Sequence, residues 1–123
     1  MKRLAVALVL ILAISAAPAF AQGINLGNFP LGTWIDANYD AVWEFSTGNI
    51  RILAPDGSLH FDFGAEGIQD FKVGAGADGP FITFSCAAVG KSYKLTKPLL
   101  KAEMTLEIER SGSPKYAVTM AKR

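Results

Sequence analysis

Glu103-Met104-Thr105-Leu106-Glu107-Ile108-Glu109, the turn Ser111-Gly112-Ser113-Pro114, and then Tyr116-Ala117-Val118-Thr119-Met120 form the stretch whose pattern decides the fold. Met104, Leu106 and Ile108 alternate with Glu103, Thr105, Glu107 and Glu109, and past the turn Tyr116, Val118 and Met120 alternate with Ala117 and Thr119. A period of two places one set on each face of a strand, because successive side chains of extended backbone point in opposite directions. Two such runs joined by a turn rich in glycine, serine and proline predict a hairpin with one face buried.

The same signature recurs upstream. Thr33 to Ile35 and Ala41 to Phe45 are rich in tryptophan and aliphatic residues, Thr47-Gly48-Asn49 is a turn, Ile50 to Leu53 is strand-like, and Pro55-Asp56-Gly57 is a strong turn signal. Leu59-His60-Phe61-Asp62-Phe63 alternates strictly and reads as one strand with Leu59, Phe61 and Phe63 on a single face. Ile68 to Val73 follows, then a glycine-rich loop at 74–79, then Ile82, Phe84 and Cys86 opposite Phe81, Thr83 and Ser85, while Tyr93 and Leu95 alternate with lysines. Eight or nine short strands, with turns about every ten residues, predict an all-β antiparallel meander closed as a small barrel, a two-sheet β-sandwich being the alternative. No segment carries the helical period. Residues 36–46 and 97–104 are where a single helical turn fits, with Asp36 or Asn38 as a cap for the first.

Residues 1–21 read differently. Lys2 and Arg3 precede an apolar run from Leu4 to Ile14, and Ala19-Phe20-Ala21 puts small residues at the last and third-last positions before a cut between Ala21 and Gln22. That is the form of a cleaved secretory signal peptide, too short to span a bilayer. Export to a periplasm or the exterior is expected, with no cysteine at the cut to carry a lipid and no stable membrane insertion afterwards. Residues 22–31 read as a flexible lead-in, and 32–123 as one β-barrel domain. Cys86 is the only cysteine, so an oxidising destination brings no intramolecular disulfide.

Charge excludes further classes. The formal net charge of +1 includes Lys2 and Arg3, so the exported chain is close to neutral and offers nucleic acid no electrostatic footprint. From Gln22 to Asp70 the acids Asp36, Asp40, Glu44, Asp56, Asp62, Glu66 and Asp70 face Arg51 alone, whereas basic residues dominate from Phe71 onward. Strands of about five residues are also too short for an outer-membrane barrel, which needs about nine to eleven in each.

Four constellations invite a chemical reading, and each has a simpler one. Gly74-Ala75-Gly76-Ala77-Asp78-Gly79 matches G-x-G-x-x-G, but Pro80 and a strand follow where a phosphate-binding loop needs a helix N-terminus, so a hairpin loop is expected. Asp36, Asn38 and Asp40 sit at the first, third and fifth positions of a calcium loop, with Glu44 at the ninth. Ala41 replaces the turn glycine and Thr47 the bidentate carboxylate, which favours a polar turn. His60, the one histidine, lies on the solvent face with Asp62 and would need a nucleophile from a neighbouring strand to act as a base. Cys86 shares the inward face of Ile82 and Phe84 and reads as buried and inert. No metal, cofactor or catalytic site is assigned.

Gly32-Thr33-Trp34 opens the first strand of the meander. This resembles the lipocalin and wider calycin superfamily, which begins its barrel with G-x-W and packs the tryptophan against a basic side chain near the C-terminal end. The family's later T-D-x-x-Y element and its cysteine pair are absent. The resemblance implies structural roles for Gly32, Trp34 and Arg110, with Arg123 as the other candidate for the basic partner. It also implies a non-enzymatic protein that binds a small hydrophobic molecule, with Trp34, Trp43, Phe45 and Phe61 lining the mouth or wall. Large inward residues, namely Trp34, Phe45, Phe61, Phe63, Phe71, Phe84, Tyr93 and Met104, are expected to fill most of so small an interior. The alternative is an envelope or secreted interaction module or inhibitor acting on a protein partner through loops 36–40, 74–79 and 111–114, or through the 22–31 lead-in.

Overall fold

The computed structural model describes residues 24–123; the signal segment and its cleavage point lie outside the described residues. The chain is all-β. Its strands are β1 (Gly32–Asp36), β2 (Ala41–Ser46), β3 (Asn49–Leu53), β4 (Leu59–Asp62), β5 (Gln69–Gly76), β6 (Gly79–Cys86), β7 (Lys91–Thr96), β8 (Met104–Glu109) and β9 (Tyr116–Lys122), and a four-residue helix, α1 (Phe63–Glu66), separates β4 from β5. All nine strands belong to one curled sheet in the order β4-β3-β2-β1-β9-β8-β7-β6-β5. The sandwich alternative is thereby set aside, since two sheets would break that order.

Each strand pairs antiparallel with its neighbour in sequence except β4 with β5, and β1 pairs antiparallel with β9 through Trp34↔Lys122 and Ile35↔Ala121. Strand parity explains the exception. In a ring of nine strands alternate directions cannot close, and β4 and β5 run the same way. The chain therefore needs a crossover between them, and α1 supplies it.

Phe63 is the residue that makes this seam tight. The alternation 59–63 predicts a strand residue, but Phe63 starts α1 and is fully buried. Its ring centroid lies 5.5 Å from Trp43 and 4.8 Å from Phe61 on one side of the seam, and 5.1 Å from Phe84 and 5.2 Å from Tyr93 on the other. Four edge-to-face or stacked rings from β2, β4, β6 and β7 thus meet on one side chain. The helical turn is set by local polar groups. Asp62 Oδ1 accepts the Ala65 amide at 3.1 Å as an N-cap and Asn49 Nδ2 at 2.9 Å, and Asn49 Oδ1 accepts the amide of Gly64 at 3.0 Å. A Cβ on residue 64 would collide with that Asn49 oxygen, so only glycine permits the approach. The positions proposed for a helical turn differ accordingly: 37–40 and 99–100 form turns without helix.

Two further expectations change. The stretch read as a flexible lead-in is instead part of the core from Ile24 onward. The Ile24 amide donates to Gly48 O at 2.7 Å, and Ile24, Leu26 and Phe29 are buried, Phe29 with its ring 5.4 Å from that of Phe45. The glycine-rich 74–79 stretch is mostly strand, because β5 runs through Gly76 and β6 begins at Gly79, leaving Ala77-Asp78 as a two-residue hairpin turn. By contrast Met104, Leu106, Met120, Ile82, Phe84, Cys86, Tyr93 and Leu95 face the core as their alternation predicts.

Phe63→Ala should remove about 3–5 kcal/mol of stability, by lost burial plus the cavity left between four rings. Urea denaturation should show a lower midpoint with an unchanged slope. Asp62 makes a second prediction. Burial alone would raise its carboxyl, but the bonds from Asn49 and the Ala65 amide hold it below the ordinary value of 3.8. Its stabilising contribution is therefore complete above 3.8 and lost as pH falls through the lower native value. Asp62→Asn should lower the melting temperature at pH 7 and flatten its decline on acidification, read by thermal scans across the acid range.

Candidate functional site: a cup at the mouth of the barrel

The inward positions divide the barrel into a filled half and an open half. At the β1 start and β9 end, Trp34, Phe45, Ile50, Ile82, Leu95, Met104 and Met120 pack together with Phe29, and none is more than 3 % exposed. At the opposite end, where the turns after β1, β6 and β8 gather, a cavity of about 590 Å³ opens to solvent. The pairing of strands explains its walls. Trp43 stands opposite Ile52 across β2 and β3, while Tyr93, Ile108 and Tyr116 stand in one row across β7, β8 and β9. Leu106 completes the apolar lining, and Tyr39 and Pro114 stand at the rim. Tyr39 is 69 % exposed yet packs edge-on to Tyr116 at 5.5 Å, so it overhangs the mouth.

One wall carries a buried polar network. Asp36 is 2 % exposed, and its carboxylate accepts the Tyr116 hydroxyl at 2.8 and 3.0 Å and the Asn38 amide at 3.0 Å. Asn38 Nδ2 in turn donates to the Tyr116 oxygen at 2.9 Å. Burial and the Asp36 charge raise the Tyr116 hydroxyl above its ordinary value, against the opposing bond from Asn38. Tyr93 is pushed up to about 12, chiefly by burial. Both phenols are therefore neutral donors at neutral pH, suited to holding structure or a ligand and unsuited to acting as bases.

Of the residues expected to line a ligand site, Trp43 alone reaches the cup. Trp34 and Phe45 are each 1 % exposed in the filled half, and Phe61 is half-buried beside Phe63 at the seam. The wall residues Ile52, Tyr93, Leu106, Ile108 and Tyr116 were read from sequence only as inward or strand positions. Their common signal is that they sit on the inner face close to turns that share one end of the barrel, which requires the strand order to see.

The basic partner of Trp34 also changes. Lys122 Nζ lies over the Trp34 ring, 4.6 Å from its centroid, in a cation–π contact. Gly32, with φ +136°, makes room for it: a Cβ there would come within 2.7 Å of that same Nζ. The Trp34 indole donates to Ala102 O at 2.8 Å. Arg110 instead lies at the rim of the cup, its Nε donating to Ser113 Oγ at 3.0 Å, and Arg123 reaches Pro55 O at 2.7 Å. Register decides this: β1 pairs with the last residues of β9, far from Arg110.

The remaining constellations are committed to structure. Asp36 is held by Tyr116, and Glu44 carries Arg51 at 2.6 Å, so the 36–44 carboxylates do not converge on a cation. Among the described residues no group of three or more histidine, cysteine or acidic side chains is placed to hold a metal. His60 is exposed on β4, and Asp62, the carboxylate expected beside it, caps α1. Cys86 is buried with Sγ 3.5 Å from Gly67 O. No described helix is long and apolar enough to cross a membrane. No family model matches this chain, and no curated protein or solved structure matches it either.

Tyr116→Phe should cost about 1–3 kcal/mol, because the buried Asp36 carboxylate loses its hydroxyl donor. Thermal denaturation at neutral pH measures this, and Tyr39→Phe, altered on an exposed ring, should leave stability within about 0.5 kcal/mol.

Proposed function

We propose that this protein is exported, has no enzymatic activity, and binds a small hydrophobic molecule in the cup at the mouth of its barrel. The observation that carries the reading is the solvent-open cavity of about 590 Å³, onto which the half-buried Ile52 and Ile108 face above the buried Trp43 and Leu106. That volume falls within the roughly 300–1,000 Å³ range of ligand pockets, and with Asp36 bonded to Tyr116 and both phenols neutral, its polar groups suit binding better than conversion. Export rests on the charged, apolar and small-residue segments of 1–21. A lipocalin-like character is supported by the cluster of Gly32, Trp34 and Lys122, in which a cation from the last strand covers the first-strand tryptophan. The protein-partner alternative is less well supported. Loops 36–40 and 111–114 share the mouth, whereas the 74–79 hairpin lies at the far end beside Leu99, whose amide donates to Asp78 O at 3.1 Å.

N-phenyl-1-naphthylamine, a neutral apolar fluorophore, should bind with a blue-shifted, enhanced emission. Ile108→Trp, which places an indole in the cup from a half-buried wall position, should weaken that binding by about tenfold or more while circular dichroism stays unchanged. Undiminished binding to Ile108→Trp would remove the cup as the site.

A further inference from the structure

We propose that the occupant of the cup is an anionic amphiphile: an apolar body that enters the mouth, carrying one acidic group that stays at the rim between Lys91 and Arg110. The inference rests on the cup being a binding site, and it concerns which chemistry the cup selects. The alternation of β7 places Lys91 on the same face as Tyr93 and Leu95, and that of β8 continues Leu106 and Ile108 to Arg110. Lys91 is the first residue of β7 and Arg110 directly follows β8, so both stand at the mouth, and both line the cavity. Ser92 and Glu109 are the last pair of this ladder, and carrying its register one step further would bring Lys91 opposite Arg110. Two like charges facing each other across neighbouring strands repel, and an anion seated between them converts that repulsion into two charge-assisted contacts.

The other charges of the site do not supply that anion. Lys115 also touches the lining, but its ammonium is already paired with Glu107 at 2.6 Å. Asp36 is the one acid of the lining, and both its oxygens are taken by Tyr116, with Asn38 adding a third bond. Lys91 and Arg110 make no ion pair among the described residues. Arg110 spends its Nε on Ser113 Oγ, which fixes the side chain and leaves the terminal guanidinium nitrogens for a planar or tetrahedral acid group. Below them the half-buried Ile108 and Ile52 offer apolar surface, with the buried rings of Tyr93 and Trp43 in the same lining. A cationic ligand would meet two uncompensated charges, and a neutral one would leave the pair as it is.

Two fluorophores with the same aromatic body separate the possibilities: 1-anilinonaphthalene-8-sulfonate, which is anionic, and neutral N-phenyl-1-naphthylamine. With the chain from Gln22 to Arg123 at low salt, the sulfonate should bind about tenfold or more tighter than the neutral probe, and the ratio should shrink as salt rises. Lys91→Gln and Arg110→Gln should each reduce the ratio, and the double variant should bring it to within about twofold, while Lys101→Gln outside the cup leaves it unchanged. Equal affinities in the unaltered protein, or a ratio that survives the double substitution, would overturn the anion assignment and leave the binding cup standing. Failure of both probes to bind would overturn the cup and the assignment together.

Discussion

Strands that alternate in direction close into a ring only when their number is even, and the described residues form nine. The unmatched pair, β4 and β5, forms no backbone ladder and leaves a seam along the barrel. Side chains seal it instead. Phe63 projects from the single helical turn in the seam and meets rings of β2, β4, β6 and β7, so the two arcs of the sheet are joined on this side by aromatic packing. The polar groups around it serve the same end: Asp62 caps the turn, Asn49 holds both Asp62 and Gly64, and Gly64 has no side chain to obstruct them.

The cup follows from where the large residues lie along the barrel axis. Phe29, Trp34, Phe45, Met104 and Met120 fill the half near the start of β1, and residues 24–29 close that end. The other half is lined by Trp43, which stacks on Phe63, and by smaller aliphatic residues and tyrosines. An interior that would be solid if its bulk were spread evenly is thus solid at one end and open at the other. The same inner-face alternation that builds the wall ends on Lys91 and Arg110, so apolar depth and a cationic rim come from one strand pattern.

Much of the barrel was legible because alternation is a local property. The inward sets on β6, β7, β8 and β9 match the structure residue for residue. The reading failed where a local pattern was broken by a distant partner: Phe63 continued an alternating run but left the strand because Asn49 and Asp62 stabilise a turn there. Ile24, Leu26 and Phe29 looked loosely held among glycine and asparagine, yet they cover a core end that the strands leave open. Among the site residues, Trp43 was identifiable as a large inward side chain, whereas Ile52, Ile108 and Tyr116 are ordinary strand residues until their turns are known to share one end.

The sequence by itself determined the class and the face of most side chains: all-β, a meander, and one buried face per strand. Those features depend on spacing along the chain, which extended backbone converts directly into direction. The identity of the Trp34 cover as Lys122, the site of the seam, the opening of one end and the placing of Lys91 and Arg110 on one lining were decided only by the tertiary structure. Each depends on strand register and on the closing of β1 against β9, which bring together residues far apart in the chain.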